Sequence, residues 1–240
     1  MTKFDLWLAA GSNGVQVCGD PMAHHIFMRC LFHSKNDEDL KFDVRTININ
    51  RKSAAFLETG LRKVPAIQNS DEENFETEDE ILDFLEFLAP KRADDMEAED
   101  VTSEIFMRFA RFLKNVDKTE VPLNNELLRL DRYLDGVWSE NSKFKFLISD
   151  QIDHIDCLVL TRLHTIRIGG KYLKNYNFPE DLKNVRKYMQ NGYEEEIFRQ
   201  SCPADQEIVI HWSELHETPK LSSKERAKLV REQPVYSFEI

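Results

Sequence analysis

The chain has few cysteines, no long apolar run and no surplus of basic charge. Its four cysteines, Cys18, Cys30, Cys157 and Cys202, form no CxxC pair and no zinc-type spacing. That excludes a disulfide scaffold and leaves free thiols in a reducing cytosol as the expectation. No stretch approaches the roughly 18–20 apolar residues of a membrane helix. The opening Met1-Thr2-Lys3-Phe4-Asp5 carries an early acid and begins no apolar segment, so no secretory signal is expected. Lysine and arginine number 32 against 43 aspartates and glutamates, a net charge of -11 over 240 residues. Such a balance argues against nucleic acid as a partner, which needs a basic face. It also disfavours simple adsorption to an anionic membrane surface.

What is present supports packed domains. Hydrophobic residues make up 41% of the chain, enough for a real core. Phe4, Leu6 and Leu8 alternate with Asp5 and Trp7, which predicts a short strand. After the loop Ala10-Gly11-Ser12-Asn13-Gly14, Asp20-Pro21 reads as an N-cap followed by proline at the first helical position. Met22, Ile26, Phe27, Cys30 and Leu31 give that helix an apolar face. Phe42 and Val44, then Ile47 and Ile49, predict a second strand, and Ala54–Thr59 a short helix ending at Gly60. Lys63-Val64-Pro65-Ala66-Ile67 sets a proline at the start of a third strand. Thr77-Glu78-Asp79-Glu80 is a capping box ahead of Ile81, Leu85 and Leu88. The polar stretch beginning near residue 89 has no apolar period and reads as a linker. Beyond it everything is helical in period. The stretch from Asp153 through Leu163 is the most apolar and so is expected at the centre.

The order β-α-β-α-β-β-α, with proline at the third strand, is similar to a thioredoxin unit. An all-helical domain behind it resembles the glutathione-transferase architecture. The boundaries read as 1–90 for the thioredoxin-like α/β domain, 91–101 for the linker, 102–216 for the all-α domain and 217–240 for a C-terminal tail. Several motifs fall in order across residues 4–215. They are Ala10–Gly14, Pro21 with Ile26-Phe27-Met28, Phe84-Leu85-Glu86, Asp153-His154-Ile155-Asp156-Cys157 through Leu163-His164, Arg186-Lys187-Tyr188, and Ser201-Cys202-Pro203-Ala204-Asp205. On these the chain resembles the chloride intracellular channel family. The resemblance implies a cytoplasmic form that can associate with membrane lipid in a second form and is credited with conducting chloride. The residues leave open a non-catalytic glutathione-transferase-fold interaction module and, last, a glutathione-dependent oxidoreductase.

In thioredoxin-fold enzymes a cysteine at the first helix N-terminus becomes a thiolate and attacks a disulfide. The resemblance sets Asp20 there, as in nematode members of the family, and a carboxylate cannot form a mixed disulfide. No enzyme activity is therefore expected, and no cofactor. A remnant glutathione site would comprise Asp20, Val64 and Pro65 at the cis-proline turn, and Thr77 and Glu78 where the γ-glutamyl carboxylate would sit. The acids around Glu78 would repel that carboxylate. Cys18, beside Gly19 in a loop expected to be mobile, is read as unreactive. Neighbouring His24 and His25 point about 100° apart and make a poor metal pair. Asp153 and Asp156 read as a structural cap.

In the family the segment starting near the first helix is the one said to enter the membrane. Here Pro21 to Val44 carries Arg29, Lys35, Asp37, Glu38, Asp39, Lys41 and Asp43. Each charge at mid-bilayer costs about 2.5–3.5 kcal/mol, so a simple span does not fit, and refolding with oligomerisation would be required. At the C-terminus, Ser222 or Ser223 caps a helix through Leu229 and Val230. An extended end with Tyr236, Phe238 and Ile240 on one face follows. That face either folds back on the chain's own helices or adds to the sheet edge of a protein partner.

Overall fold

The computed structural model describes residues 2–88 and 95–240. Strand β1 (Thr2–Ala9) is central in a four-stranded sheet of order β2-β1-β3-β4. It runs parallel to β2 (Leu40–Ile47) and antiparallel to β3 (Ala66–Asn69), which pairs antiparallel with β4 (Asn74–Phe75). The alternation in β1 serves both faces. Phe4, Leu6 and Leu8 join Ala23, Ile26, Cys30 and Leu85 beneath helices α1 (Pro21–Asn36) and α3 (Glu78–Leu88). Trp7 faces the other way, against Phe56 of α2 (Ala54–Glu58), Ile47 and Leu61.

The rest is helical: α4 (Asp95–Thr102), α5 (Ile105–Leu113), α6 (Val121–Glu140), α7 (His154–Lys174), α8 (Lys183–Glu194), α9 (Glu196–Ser201), α10 (Asp205–Glu214) and α11 (Ser223–Arg231). Helix α7 is the buried axis, with residues on all sides inside the core, as its apolar sequence predicts. Its start is fixed by a capping box. The Asp156 carboxylate accepts from the Asp153 amide at 2.8 Å, and the Asp153 side chain accepts from the first turn.

Two readings of the sequence change. Helix α4 occupies most of the stretch read as linker 91–101, of which residues 91–94 lie outside the described residues. Its helical character was hidden because only Ala98, Val101 and Thr102 are buried, too few for an apolar period. The stretch from 217 read as a tail is folded. Ser222 and Glu225 form the box that starts α11, and Leu229 is buried. The chain then runs extended along α10. The Asp205 amide donates to the Val235 carbonyl at 2.8 Å, and the Val235 amide donates to Gln206 Oε1 at 3.0 Å. Arg167 of α7 donates to the Glu239 carbonyl at 2.9 Å and also to that of Ser237. Phe238 enters an aromatic cluster with His164, Tyr193 and Phe198, with centroids 5.7–6.4 Å away. Folding back wins because Phe238 and Ile240 find apolar partners within the same chain.

Helix α1 is the hinge of the arrangement. Ala23, Ile26 and Cys30 face the sheet, while the opposite flank packs on α7 and α9. No helix among the described residues is long and apolar enough to cross a membrane.

Candidate functional site

The N-terminus of α1 is built by the loop after β1. Ala10 bridges to Val17, Cys18 donates its amide to the Ala9 carbonyl at 3.0 Å, and Asn13 Oδ1 accepts from the Val15 and Gln16 amides at 2.9 Å. This delivers Asp20 in extended backbone, its carboxylate accepting from the Met22 amide at 3.0 Å, with Pro21 in the first turn. The cap expected from the sequence is in place.

Gly19 led to the expectation of a mobile loop, but hydrogen bonds and close packing hold it. It is clamped to α10. The Glu207 carboxylate accepts from the Ser12 amide at 2.8 Å and the Ser12 hydroxyl at 2.6 Å. Gly11 lies so close that a Cβ there would stand 2.6 Å from Glu207 Cδ, and one on Gly19 would overlap the Glu207 backbone. Glycine is required at both positions by close approach. Sequence reading missed Ser12 and Glu207. The glycines flanking the loop were the available signal, but nothing along the chain pairs them with a residue almost two hundred positions later.

Asp20 opens into a cavity of about 350 Å³ between this loop, Asn48–Asn50 and α10, with His211, Glu214 and Arg226 on the far wall. Arg226 Nε meets Glu214 at 2.9 Å, so the carboxylates of Asp20 and Glu207 keep the cavity electronegative. Burial pushes the Cys18 thiol up to about 11, and the charges of Asp20 and Glu207 push it the same way. Both effects disfavour the thiolate that a nucleophile requires. Burial lowers the His211 pKa, against the pull of Asp20 and Glu214. The cavity suits hydrogen-bond donors or cations rather than carboxylates.

The other expected site residues lie elsewhere. Val64 and Pro65 are joined by a cis peptide bond, half-buried beside β3. The loop before them is held by Glu76, whose carboxylate accepts from the Arg62 amide and from that of Lys63 at 3.1 Å. Thr77 and Glu78 are exposed at the start of α3. There Glu80 Oε2 accepts from the amides of Glu76 at 3.0 Å and Thr77 at 2.9 Å. Those two bonds hold the Glu80 carboxyl below its ordinary pKa. The Glu80 amide in turn donates to Thr77 Oγ1 at 3.2 Å, which closes the capping box at the start of α3. None of these four residues lines the cavity at Asp20.

Along its whole length the chain is 57% identical to the chloride intracellular channel exl-1 of Caenorhabditis elegans, covering 100% of both sequences. The chain belongs to the chloride intracellular channel family. Among solved structures, the CLIC homologue EXC-4 from C. elegans superposes with a TM-score of 0.77 at 23% identity, over 99% of this chain and 93% of that one. The dehydroascorbate reductase of Chlamydomonas reinhardtii superposes with a TM-score of 0.70 at 18% identity, over 87% and 96%. At these identities the two structures establish the glutathione-transferase-like fold. No family model matches the chain.

For a chloride intracellular channel protein the less expected part is the flank of α1 facing α7. His25, Arg29 and His33 recur every four residues on one stripe, with His24 beside it, and all four are buried. His24 stacks edge-on against Phe198 at 5.2 Å and His164 at 6.3 Å. Neither ring nitrogen of His24 or of His25 has a hydrogen-bond partner among the described residues. Burial lowers His24 to about 3 and His33 to about 4, and drives His25 and His164 well below the usual histidine value. The stripe was legible as a spacing, but adjacent His24 and His25 drew attention to each other rather than to residues 29 and 33. No metal-binding group occurs among the described residues.

Proposed function

We propose that this protein is the water-compatible form of a chloride intracellular channel that associates with membranes and conducts chloride, without thiol-transferase catalysis. The observation that carries the reading is the 57% identity, across the full length, to a protein named for that activity. Two features support the non-catalytic half. Asp20 occupies the cap of α1, and Cys18 nearby is held protonated. With the Glu80 carboxylate seated on the Glu76 and Thr77 amides at the entry to α3 and acids surrounding them, glutathione binds weakly at the remnant site of Asp20, Val64, Pro65, Thr77 and Glu78.

A membrane form requires more than docking, because no described helix can span the bilayer. The seam between the sheet region and the helical region runs along α1, where buried polar groups lack partners. Opening this seam is the route by which the N-terminal region refolds against lipid.

Reconstitution tests the reading. Purified protein is added to chloride-loaded vesicles, and efflux is measured against a heat-denatured control. Efflux that depends on native protein supports conductance, and efflux equal to the control overturns it. In parallel, a glutathione mixed-disulfide assay should give no turnover for the wild type. Turnover in the wild type would restore the oxidoreductase reading.

A further inference from the structure

A second cavity, of about 340 Å³, lies between α1, α3, α4 and α7. His25 and Arg29 of α1 meet Glu86 of α3, Glu99 of α4, and His154 and Arg162 of α7 around it. Ile155 and Leu158 add an apolar wall, which lowers the local dielectric and strengthens any charge interaction inside.

Arg29 is the anomaly. It keeps 3% of its surface exposed, and its Nε and Nη2 donate to nothing among the described residues. A guanidinium does not shed its charge, so it needs a counter-charge when removed from water. Glu86 and Asp153 act on it electrostatically, and Glu99 lines the same cavity, but none of them accepts a hydrogen bond from Nε or Nη2. Asp153 accepts from the His154 amide at 2.7 Å and from its ring at 2.8 Å. The thiols of Cys30 and Cys157 are pushed far up by burial and stay neutral. Arg162 is spread over the Phe106 ring at 5.2 Å and adds positive charge to the wall.

We propose that this cavity holds a small monovalent inorganic anion on the Arg29 guanidinium, bridging α1 to α7 across the seam between the two regions. Arg29 binds through its two unpaired donors, and Arg162 contributes field. The anion stabilises the closed fold, since it binds the packed seam and not the separated regions. This role concerns the closed form and is independent of conductance.

Bromide is the probe, because it scatters anomalously. Thermal unfolding of the full chain is followed as sodium bromide replaces sodium gluconate at constant ionic strength. The expected result is a rise in Tm that sets in near the half-saturation point and then grows with the logarithm of bromide, roughly 3–5 °C per tenfold. The Arg29→Gln variant loses that dependence. Crystals of the unaltered protein soaked in bromide show an anomalous peak within hydrogen-bonding reach of the Arg29 guanidinium, which decides the matter if the variant does not fold. Water alone at Arg29, a Glu86 carboxylate seated on it, or a bromide dependence that survives in Arg29→Gln overturns the proposal.

Discussion

The two ends of one contrast lie on the same helix. At the N-terminus of α1 the groups the fold offers for chemistry are satisfied: Asp20 caps the amides, Glu207 fastens the loop through Ser12, and Cys18 is neutral. Along the flank of α1 the reverse holds, with His24, His25, Arg29 and His33 buried while nitrogens lack partners. The end of α1 where thioredoxin-fold chemistry is expected is locked, and its flank holds the energetic tension. A buried polar group without a partner costs about 1–3 kcal/mol, so the flank is where modest forces can pry the molecule open.

Acid is the strongest way to test that contrast. A histidine whose folded pKa is depressed leaves stability intact above the unfolded value near 6.5 and removes it as pH falls toward the folded value. For His24, at about 3, and His33, at about 4, going from pH 7 to pH 5 costs on the order of 2 kcal/mol each. His25 and His164 act in the same direction. Asp156 opposes them. Burial raises its carboxyl to about 7, so protonation relieves a penalty as pH falls from neutrality. His211 adds to the loss and Asp205, whose carboxyl burial also raises, opposes it. Five histidines against two carboxyls leave a net loss, visible as a falling urea midpoint between pH 7 and pH 5, together with stronger co-sedimentation with vesicles. A flat midpoint would remove the distinction between flank and end.

At the locked end the largest substitution effect belongs to Gly19→Ala. Its new Cβ would strike the Glu207 backbone, which cannot swing aside. We expect a loss of about 2–3 kcal/mol in chemical denaturation, in the range for overpacking. Asp20→Ala should cost less, about 0.5–2 kcal/mol, the ordinary value of an N-cap. An unchanged midpoint would mean that the carboxylate is not engaged at the helix end. The smallest effect is expected at the exposed rim of the flank. Lys35 and Glu195 approach to 3.3 Å between α1 and the start of α9, but Lys35 is largely in water. Lys35→Ala should shift stability by at most about 0.5 kcal/mol, and a larger shift would show that the seam is held from its edge.

Local signals carried much of this structure in the sequence. Asp20-Pro21, Thr77 to Glu80, Asp153 with Asp156, and Ser222, one of the two serines read as a cap, each start a helix where their chemistry says it should. Caps are legible because both partners lie within a turn of each other. The interfaces were not legible. Helix α1 was read as having one apolar face, but it is buried on two. The second face carries His24, His25, Arg29 and His33 and meets α7 and Phe198 rather than the sheet. Likewise Glu207 is an ordinary helical acid until folding brings Ser12 to it. Phe238 shows the same limit, since the sequence displayed its apolar face without saying which surface would receive it.

That distance along the chain has a consequence during synthesis. The residues that cover the flank of α1 arrive late: His164 and Phe198 more than 130 positions after His24, and Phe238 later still. At about 5–20 residues per second, α1 leaves the ribosome on the order of ten seconds before Phe198 is made. Throughout that interval its histidines and Arg29 stand in water at their ordinary pKa values. The nascent first helix therefore keeps a polar flank in water, and that flank is buried only when the last helices close over it.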